Sequence, residues 1–180
     1  MCDISSGSYF YINDLPNNIT TGTKVRLFAD DCIIYRTIKS EEDSKILQKD
    51  LDELIKWETN WSMSFHPEKC QLLRVTKKKK QINSKYFIHG KELTQTKDAK
   101  YLGVMINEKL SWSPHVNEVL KKSNKTLGFI KRNFNKCNRD IKLKCYLTLV
   151  RPVLEYASSV WDPSTKENID KLEQIQKRAA

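Results

Sequence analysis

Asp30 and Asp31 stand side by side in the segment Lys24–Arg36, which reads K-V-R-L-F-A-D-D-C-I-I-Y-R. Two β-branched and aromatic runs, Val25–Ala29 and Cys32–Tyr35, flank the pair. That is the pattern of a hairpin with the acids at or beside its tip. Successive strand residues face opposite ways, so adjacent carboxylates converge only where the chain turns. Two such charges about 4 Å apart repel by about 4 kcal/mol at an effective dielectric of about 20. A divalent cation removes that penalty and becomes the largest local charge. Oxygen ligands select Mg2+ or Mn2+ over zinc. The alternative is a surface turn that uses aspartates for solubility, since Asp is a common turn residue. Against it, Asp-Asp lacks the Gly expected after Asn or Asp in a two-residue loop.

A second cluster, His66 with Cys70 four residues on, is a poor metal site. Pro67 argues against a shared helical face, and a closed zinc site needs four ligands. The cysteines are Cys2, Cys32, Cys70, Cys137 and Cys145; their number is odd and no CxxC pair occurs. Neither a disulfide framework nor a zinc knuckle is expected, and a reducing compartment is the default.

The elements that must hold these groups divide into two regions. Residues 1–110 read as strands around one long helix. Ser40 caps that helix, and Glu41, Glu42 and Asp43 occupy its first turn, where carboxylates favour the positive end. Leu47, Leu51, Leu54, Ile55 and Trp61 fall at helical spacing on one face. Cys70–Thr76 alternates as a strand and Lys77–Lys80 is a solvated connection. Tyr86–Leu93 is a small hairpin around His89-Gly90, and Lys100–Ile106 is a further strand. Residues 111–180 read as helices. Ser113-Pro114 is an N-cap followed by Pro at N1. Asn138 caps a second helix that Pro152 must kink or end. Ser164 and Glu167 make a capping box for the last helix, which reaches Ala180 in mid-pattern and reads as truncated.

Charge follows the same division. Residues 1–110 carry 18 basic and 15 acidic side chains and residues 111–180 carry 14 and 7, in a chain of net charge +10. A basic C-terminal third points to a polyanionic partner, nucleic acid before membrane. Lys121, Lys122, Lys125, Lys131 and Arg132 are the candidates for tracking a duplex; the alternative is a solvated helix face. Trp57, Trp61, Trp112 and Trp161 are candidate base-stacking platforms, of which Trp61 is better read as core and Trp112 and Trp161 as helix-boundary residues. Mean hydropathy is −0.61, and no apolar run is long enough to span a membrane. Met1–Phe10 lacks the features of a secretory signal. The expectation is an intracellular protein, in nucleus or cytoplasm.

Four motifs in order carry a family resemblance. They are Tyr11-Ile12-Asn13-Asp14-Leu15-Pro16 with Leu27-Phe28-Ala29-Asp30-Asp31, then Trp61-Ser62-Met63-Ser64-Phe65-His66-Pro67-Glu68-Lys69-Cys70, then Lys100-Tyr101-Leu102-Gly103-Val104, then Val150-Arg151-Pro152-Val153-Leu154-Glu155-Tyr156. Together they resemble the reverse transcriptases of non-LTR retrotransposons (LINE elements, jockey-like group), from about Tyr11 onward.

The resemblance implies an α+β chain: a partial palm, built as a small antiparallel sheet with one long helix over residues 1–110, then a helical thumb-like bundle over 111–180. It implies a fragment of an RNA-directed DNA polymerase that uses Mg2+ or Mn2+, with RNA template and DNA primer as partners. Asp30 and Asp31 correspond to metal-binding carboxylates, Asp30 the more direct ligand. Lys69 corresponds to a general acid for the leaving pyrophosphate; a plain surface lysine is its alternative. Tyr101, Leu102 and Gly103 correspond to a primer contact; a packed strand in which Gly103 makes room for a helix is theirs. The family's earlier palm aspartate, its nucleotide-lining segment and its fingers are expected to lie outside these residues. The metal is therefore expected to bind weakly and the fragment to be inactive alone. A catalytically silent nucleic-acid-binding remnant, or a pseudogene product with no selected function, are the competing readings.

Overall fold

The alternation of Thr23–Arg36 folds as an antiparallel ladder, β2 (Thr23–Phe28) against β3 (Asp31–Arg36), in register from Thr23↔Arg36 to Phe28↔Asp31. The computed structural model describes residues 2–5, 19–29, 31–61, 64–78 and 80–179. They form two units, Met1–Leu102 and Gly103–Ala180. The division falls in a turn, earlier than the boundary at 110 read from composition.

In the first unit, β1 (Cys2–Ser5) and β4 (Ser64–Phe65) complete a four-stranded sheet of order β2-β3-β1-β4. Val25 and Cys32 point into the core, while Lys24, Arg26 and Phe28 point out. The helix α1 (Glu41–Trp61) covers the inner side with Leu51, Leu54 and Trp57, joined by Phe65, Tyr86, Ile88 and Leu93. Leu47 packs against this cluster from a partly buried position. The expected cap of α1 forms: the Ser40 hydroxyl accepts from the Asp43 N–H at 3.2 Å, and the Asp43 carboxylate accepts from the Ser40 N–H at 3.0 Å. Unexpectedly, Asp50 and Glu58 lie on the buried face of α1. A buried carboxylate is tolerable only when hydrogen-bonded. Asp50 accepts from the Thr20 N–H at 2.9 Å and from the Thr23 hydroxyl, and Glu58 meets His89 Nε2 at 3.0 Å.

The rest of this unit departs from the sequence reading in three places. The strand expected over Cys70–Thr76 shortens to β5 (Gln71–Leu73), which pairs in parallel with β8 (Thr94–Thr96). The ladder ends at Leu73↔Thr96 because β8 itself ends there, and beyond it the Arg74 guanidinium donates to Asn83 Oδ1 at 2.9 Å and to the Ser84 carbonyl. Cys70 is disulfide-bonded, contrary to the expectation from cysteine spacing, which sees only short-range pairs. The strand expected over Lys100–Ile106 is broken. β9 (Asp98–Tyr101) ends at a turn where Leu102 has φ 45° and Gly103 φ 80°. Only glycine adopts that backbone freely, and a lone Gly in an apolar run passed for a strand residue. The hairpin of β6 (Phe87–Ile88) and β7 (Lys91–Glu92) forms as expected, with His89 and Gly90 both at positive φ.

The second unit begins with β10 (Val104–Asn107) and continues as α2 (Ser113–Asn133), α3 (Arg139–Cys145), a π-helical turn (Tyr146–Val150), α4 (Arg151–Glu155), α5 (Ser158–Trp161) and α6 (Lys166–Ala179). Val116, Val119, Leu127, Ile130, Val150, Leu154, Trp161 and Ile175 form its core. Trp161 is buried, with its indole N–H donating to the Tyr156 carbonyl at 2.6 Å and its ring edge-on to His115. Asn138 caps α3 as expected, accepting from the Ile141 N–H at 2.9 Å. Two caps differ. Trp112, rather than Ser113, is the N-cap of α2, and the Ser113 hydroxyl is engaged by Asn168 at 3.2 Å. The first α6 bonds go to the Thr165 carbonyl, and Glu167 pairs with Lys171 at 2.5 Å. Pro152 distorts its helix without ending it. It offers no N–H to the carbonyl four residues back, and the π-helical turn before it, with the Arg151 N–H reaching the Tyr146 carbonyl, absorbs the mismatch.

Candidate carboxylate hairpin and nucleic-acid interface

Phe28 and Asp31 close the β2–β3 ladder, and Ala29 follows β2 in the turn. Asp30 itself lies outside the described residues. Ala29 has φ 51°, a left-handed conformation that costs a non-glycine residue about 1–2 kcal/mol. The hairpin core over-determines it: Cys32 and Val25 anchor the strands from below. Asp31 is therefore the first residue of β3, half-buried, and not a loop residue.

Strand alternation puts Asp31 on the outer face, in register with Phe28; Arg26 pairs with Ile33 and Lys24 with Tyr35 on the same face. Phe28 is 63% exposed and Tyr35 43%. This face, cations and aromatics leading up to a carboxylate, was not singled out from the sequence. Its signal was the period-2 pattern K-V-R-L-F, read only for its apolar members. Behind Asp31, burial pushes the Cys32 thiol up to about 12, so it stays neutral and offers no thiolate. At the far end of the ladder, Arg36 bonds the Thr23 hydroxyl at 3.1 Å and approaches Asp43 at 3.6 Å, fixing the hairpin to α1.

The structure brings Tyr101 to this site. Its phenol is held above the ordinary value by burial first, then by the Asp31 charge and the neighbouring Cys32, against Arg26. Leu102 follows in the strained turn. Gly103 opens the second unit, and the space its absent side chain leaves is taken by Tyr156: a Cβ there would meet that ring at 3.0 Å. Lys69 is exposed on the turn after β4, where its N–H donates to the His66 carbonyl at 2.9 Å.

In the second unit, Lys121, Lys122, Lys125, Lys131 and Arg132 are all exposed on α2. At about 100° per residue, Lys121, Lys122, Lys125 and Arg132 share an arc of about 100°, while Lys131 falls on its other flank. Phe129, 50% exposed, lies within that arc, and Asn133 donates to its carbonyl at 2.9 Å. Sequence reasoning missed Phe129 because it lies outside the apolar stripe. Glu118 near Lys122, at 3.8 Å, is the one acid paired with this face among the described residues. No three His, Cys, Asp or Glu residues converge among the described residues. None of their helices is long and apolar enough to cross a membrane.

A family model described as reverse transcriptase (RNA-dependent DNA polymerase) matches residues 6–106. The RNA-directed DNA polymerase from mobile element jockey of Drosophila funebris is 28% identical over 174 residues, covering 91% of this chain and 19% of that protein. The probable RNA-directed DNA polymerase from transposon BS of Drosophila melanogaster is 25% identical over 160 residues, 84% of this chain and 17% of that protein. The corresponding X-element protein of that species is 23% identical over 177 residues, 94% of this chain and 19% of that protein. No solved structure matches. The chain spans less than a fifth of the length of the curated relatives it matches.

Proposed function

We propose, because this chain belongs to the reverse transcriptase (RNA-dependent DNA polymerase) family, that it supplies the carboxylate hairpin and a nucleic-acid-holding helical region to RNA-directed DNA synthesis. On this reading the first unit is part of a palm and the second most of a thumb. Its partners are an RNA template and a DNA primer.

The observation that carries the reading is the outer face of β2–β3. A rigid ladder presents Asp31 beside Tyr101, flanked by Arg26 and Phe28. The donor set fits a hard divalent ion: carboxylate oxygens on the hairpin, with the neighbouring thiol kept neutral by burial. Asp30 and Asp31 would hold it, and when bound it supplies charge stabilisation to the attacking and leaving oxygens of nucleotidyl transfer. The chain's own residues do the rest. Arg26 and Lys24 neutralise phosphates along the strand, and Phe28 and Tyr35 offer π-faces to sugars or bases. The Tyr101 phenol stays protonated and can donate a hydrogen bond. Lys69 is the proposed proton donor to the leaving pyrophosphate, and Leu102 and Gly103 the proposed turn against the primer.

The test is a graft. This chain replaces the matching segment of the Drosophila funebris jockey polymerase, and primer extension on an RNA template is measured. Extension that is lost in Asp31→Asn supports the reading; a graft that folds, binds primer-template and never extends overturns it.

A second reading has its own observation. Phe129 amid Lys121, Lys122, Lys125 and Arg132 suits nucleic-acid holding without catalysis. A chain that binds duplex yet gives an inert graft is the outcome that selects it.

A further inference from the structure

The densest positive charge lies in neither the hairpin nor α2. From Lys69 to Lys91 the sequence holds eight Lys and Arg residues and no Asp or Glu. Four of them, Lys77, Lys78, Lys79 and Lys80, are consecutive; the described three are exposed. The surrounding segment, from Arg74 to Tyr86, contains no helix or strand among its described residues. Its base is closed by the two bonds from Arg74 to Asn83 and Ser84, and Tyr86 is buried below. The feet of this basic stretch are neutralised, Lys85 by Glu92 and Lys91 by Glu68, both at 2.8 Å. Among the described residues, Lys77, Lys78 and Lys80 make no ion pair.

A run of exposed lysines without ion pairs adds solubility to a pinned loop but no contact that holds the fold. We infer that this loop is a docking segment for an acidic groove that encloses an extended lysine-rich peptide, as a nuclear import receptor offers. Consecutive residues of a non-helical chain point in different directions. A duplex surface reads cations from one side only, whereas a groove meets both sides. The described residues of the loop lie outside any ladder, and its Lys78 N–H is already taken by the Thr76 hydroxyl at 3.1 Å, so the lysine side chains carry the recognition. A short Lys-rich run is also the composition of a nuclear localisation segment. The inference does not rest on the polymerase reading, because it uses none of the hairpin residues.

The test uses the full chain fused to a fluorescent tag too large to diffuse through nuclear pores, expressed in animal cells. The expected result is nuclear accumulation that falls to the level of the tag alone in the triple variant K77Q/K78Q/K80Q and persists in K77R/K78R/K80R. The triple Gln variant keeps the thermal midpoint of the parent, since these side chains make no described contact. It also keeps the parent's salt dependence on a duplex DNA column. A parent fusion that stays cytoplasmic overturns the inference, as does a triple Gln variant that still accumulates. A salt slope reduced by about 0.9 per lysine removed would make the loop a phosphate contact instead, and overturns it too. Accumulation lost in K121Q/K122Q/K125Q would mark nuclear retention on DNA, with the same consequence.

Discussion

The phenol of Tyr101 lies in the field of the Asp31 carboxylate. The two residues come from motifs far apart in the chain, and the first unit folds them to one place. The expected consequence is a titration. Asp31→Asn removes a negative charge that disfavours the phenolate, so Tyr101 should ionise closer to the ordinary value of about 10. The readout is the ultraviolet phenolate signal that Tyr101→Phe abolishes, compared with and without Asp31→Asn. An unchanged Tyr101 titration would show that the two groups do not interact.

Salt dependence tests the α2 face. The logarithm of duplex affinity should fall linearly with log salt, with slope about −0.9 per phosphate neutralised. Charge reversal at Lys121, Lys122 and Lys125 should flatten that slope, and Lys131 should contribute less because it lies off the shared arc. Phe129→Ala should lower affinity at every salt concentration and leave the slope alone, since it removes contact area and no charge. A slope untouched by the lysine reversals would exclude this face as the site.

The strained loop residue offers a gain of stability. Ala29→Asn keeps the left-handed backbone at a residue type that tolerates it, and Ala29 is exposed. The expected shift is about 1 kcal/mol toward the folded state. Urea unfolding should show a higher midpoint at constant slope. A lower midpoint would mean that the alanine methyl makes a contact that outweighs the strain.

Acid should weaken the start of α1. Asp43 accepts from the Lys39 N–H, the Ser40 hydroxyl and the Ser40 N–H, each at 3.0 Å, and these bonds, the Lys39 one foremost, hold its carboxyl below the usual value. Because the folded value is the lower one, the contribution is complete above the unfolded value of about 3.9 and is lost as pH falls through the folded one. Asp43→Ala should therefore destabilise the protein at neutral pH, and the gap between variant and parent should narrow as pH falls below about 4 and vanish beneath the folded value. A gap that is the same at both pH values would assign the effect to something other than the carboxylate.

The 180-residue chain alone should not extend a primer. It spans under a fifth of its curated relatives, and two-metal transfer needs carboxylates that bridge both ions about 3.5–4 Å apart. Purified protein with Mg2+ or Mn2+ and a primed RNA template should give no product. Product that disappears in Asp30→Ala would prove the chain sufficient.

Much of this protein was written in local pattern. The hairpin around the acidic pair, the Ser40 and Asn138 caps, the His89-Gly90 turn and the Leu51–Leu54 stripe follow from alternation, helical spacing and capping chemistry. Each of these acts between residues a few positions apart, so one sequence suffices to see it. The order of four motifs likewise identified the family.

Tertiary structure decided what depends on distant partners. Asp50 and Glu58 can lie in the core only because Thr20, Thr23 and His89 satisfy them there. β5 ends early because its partner β8, from a distant stretch of the chain, is only three residues long. Gly103 breaks an apparent strand, and only the fold shows Tyr156 filling the space beside it. Pro152 required a kink or an end, and only the fold shows that a π-helical turn carries the helix past it. The field of Asp31 reaches Tyr101 through a fold that no periodicity encodes. Side-chain burial and electrostatic fields are sums over neighbours in space, and the linear sequence fixes those neighbours only once the chain has folded.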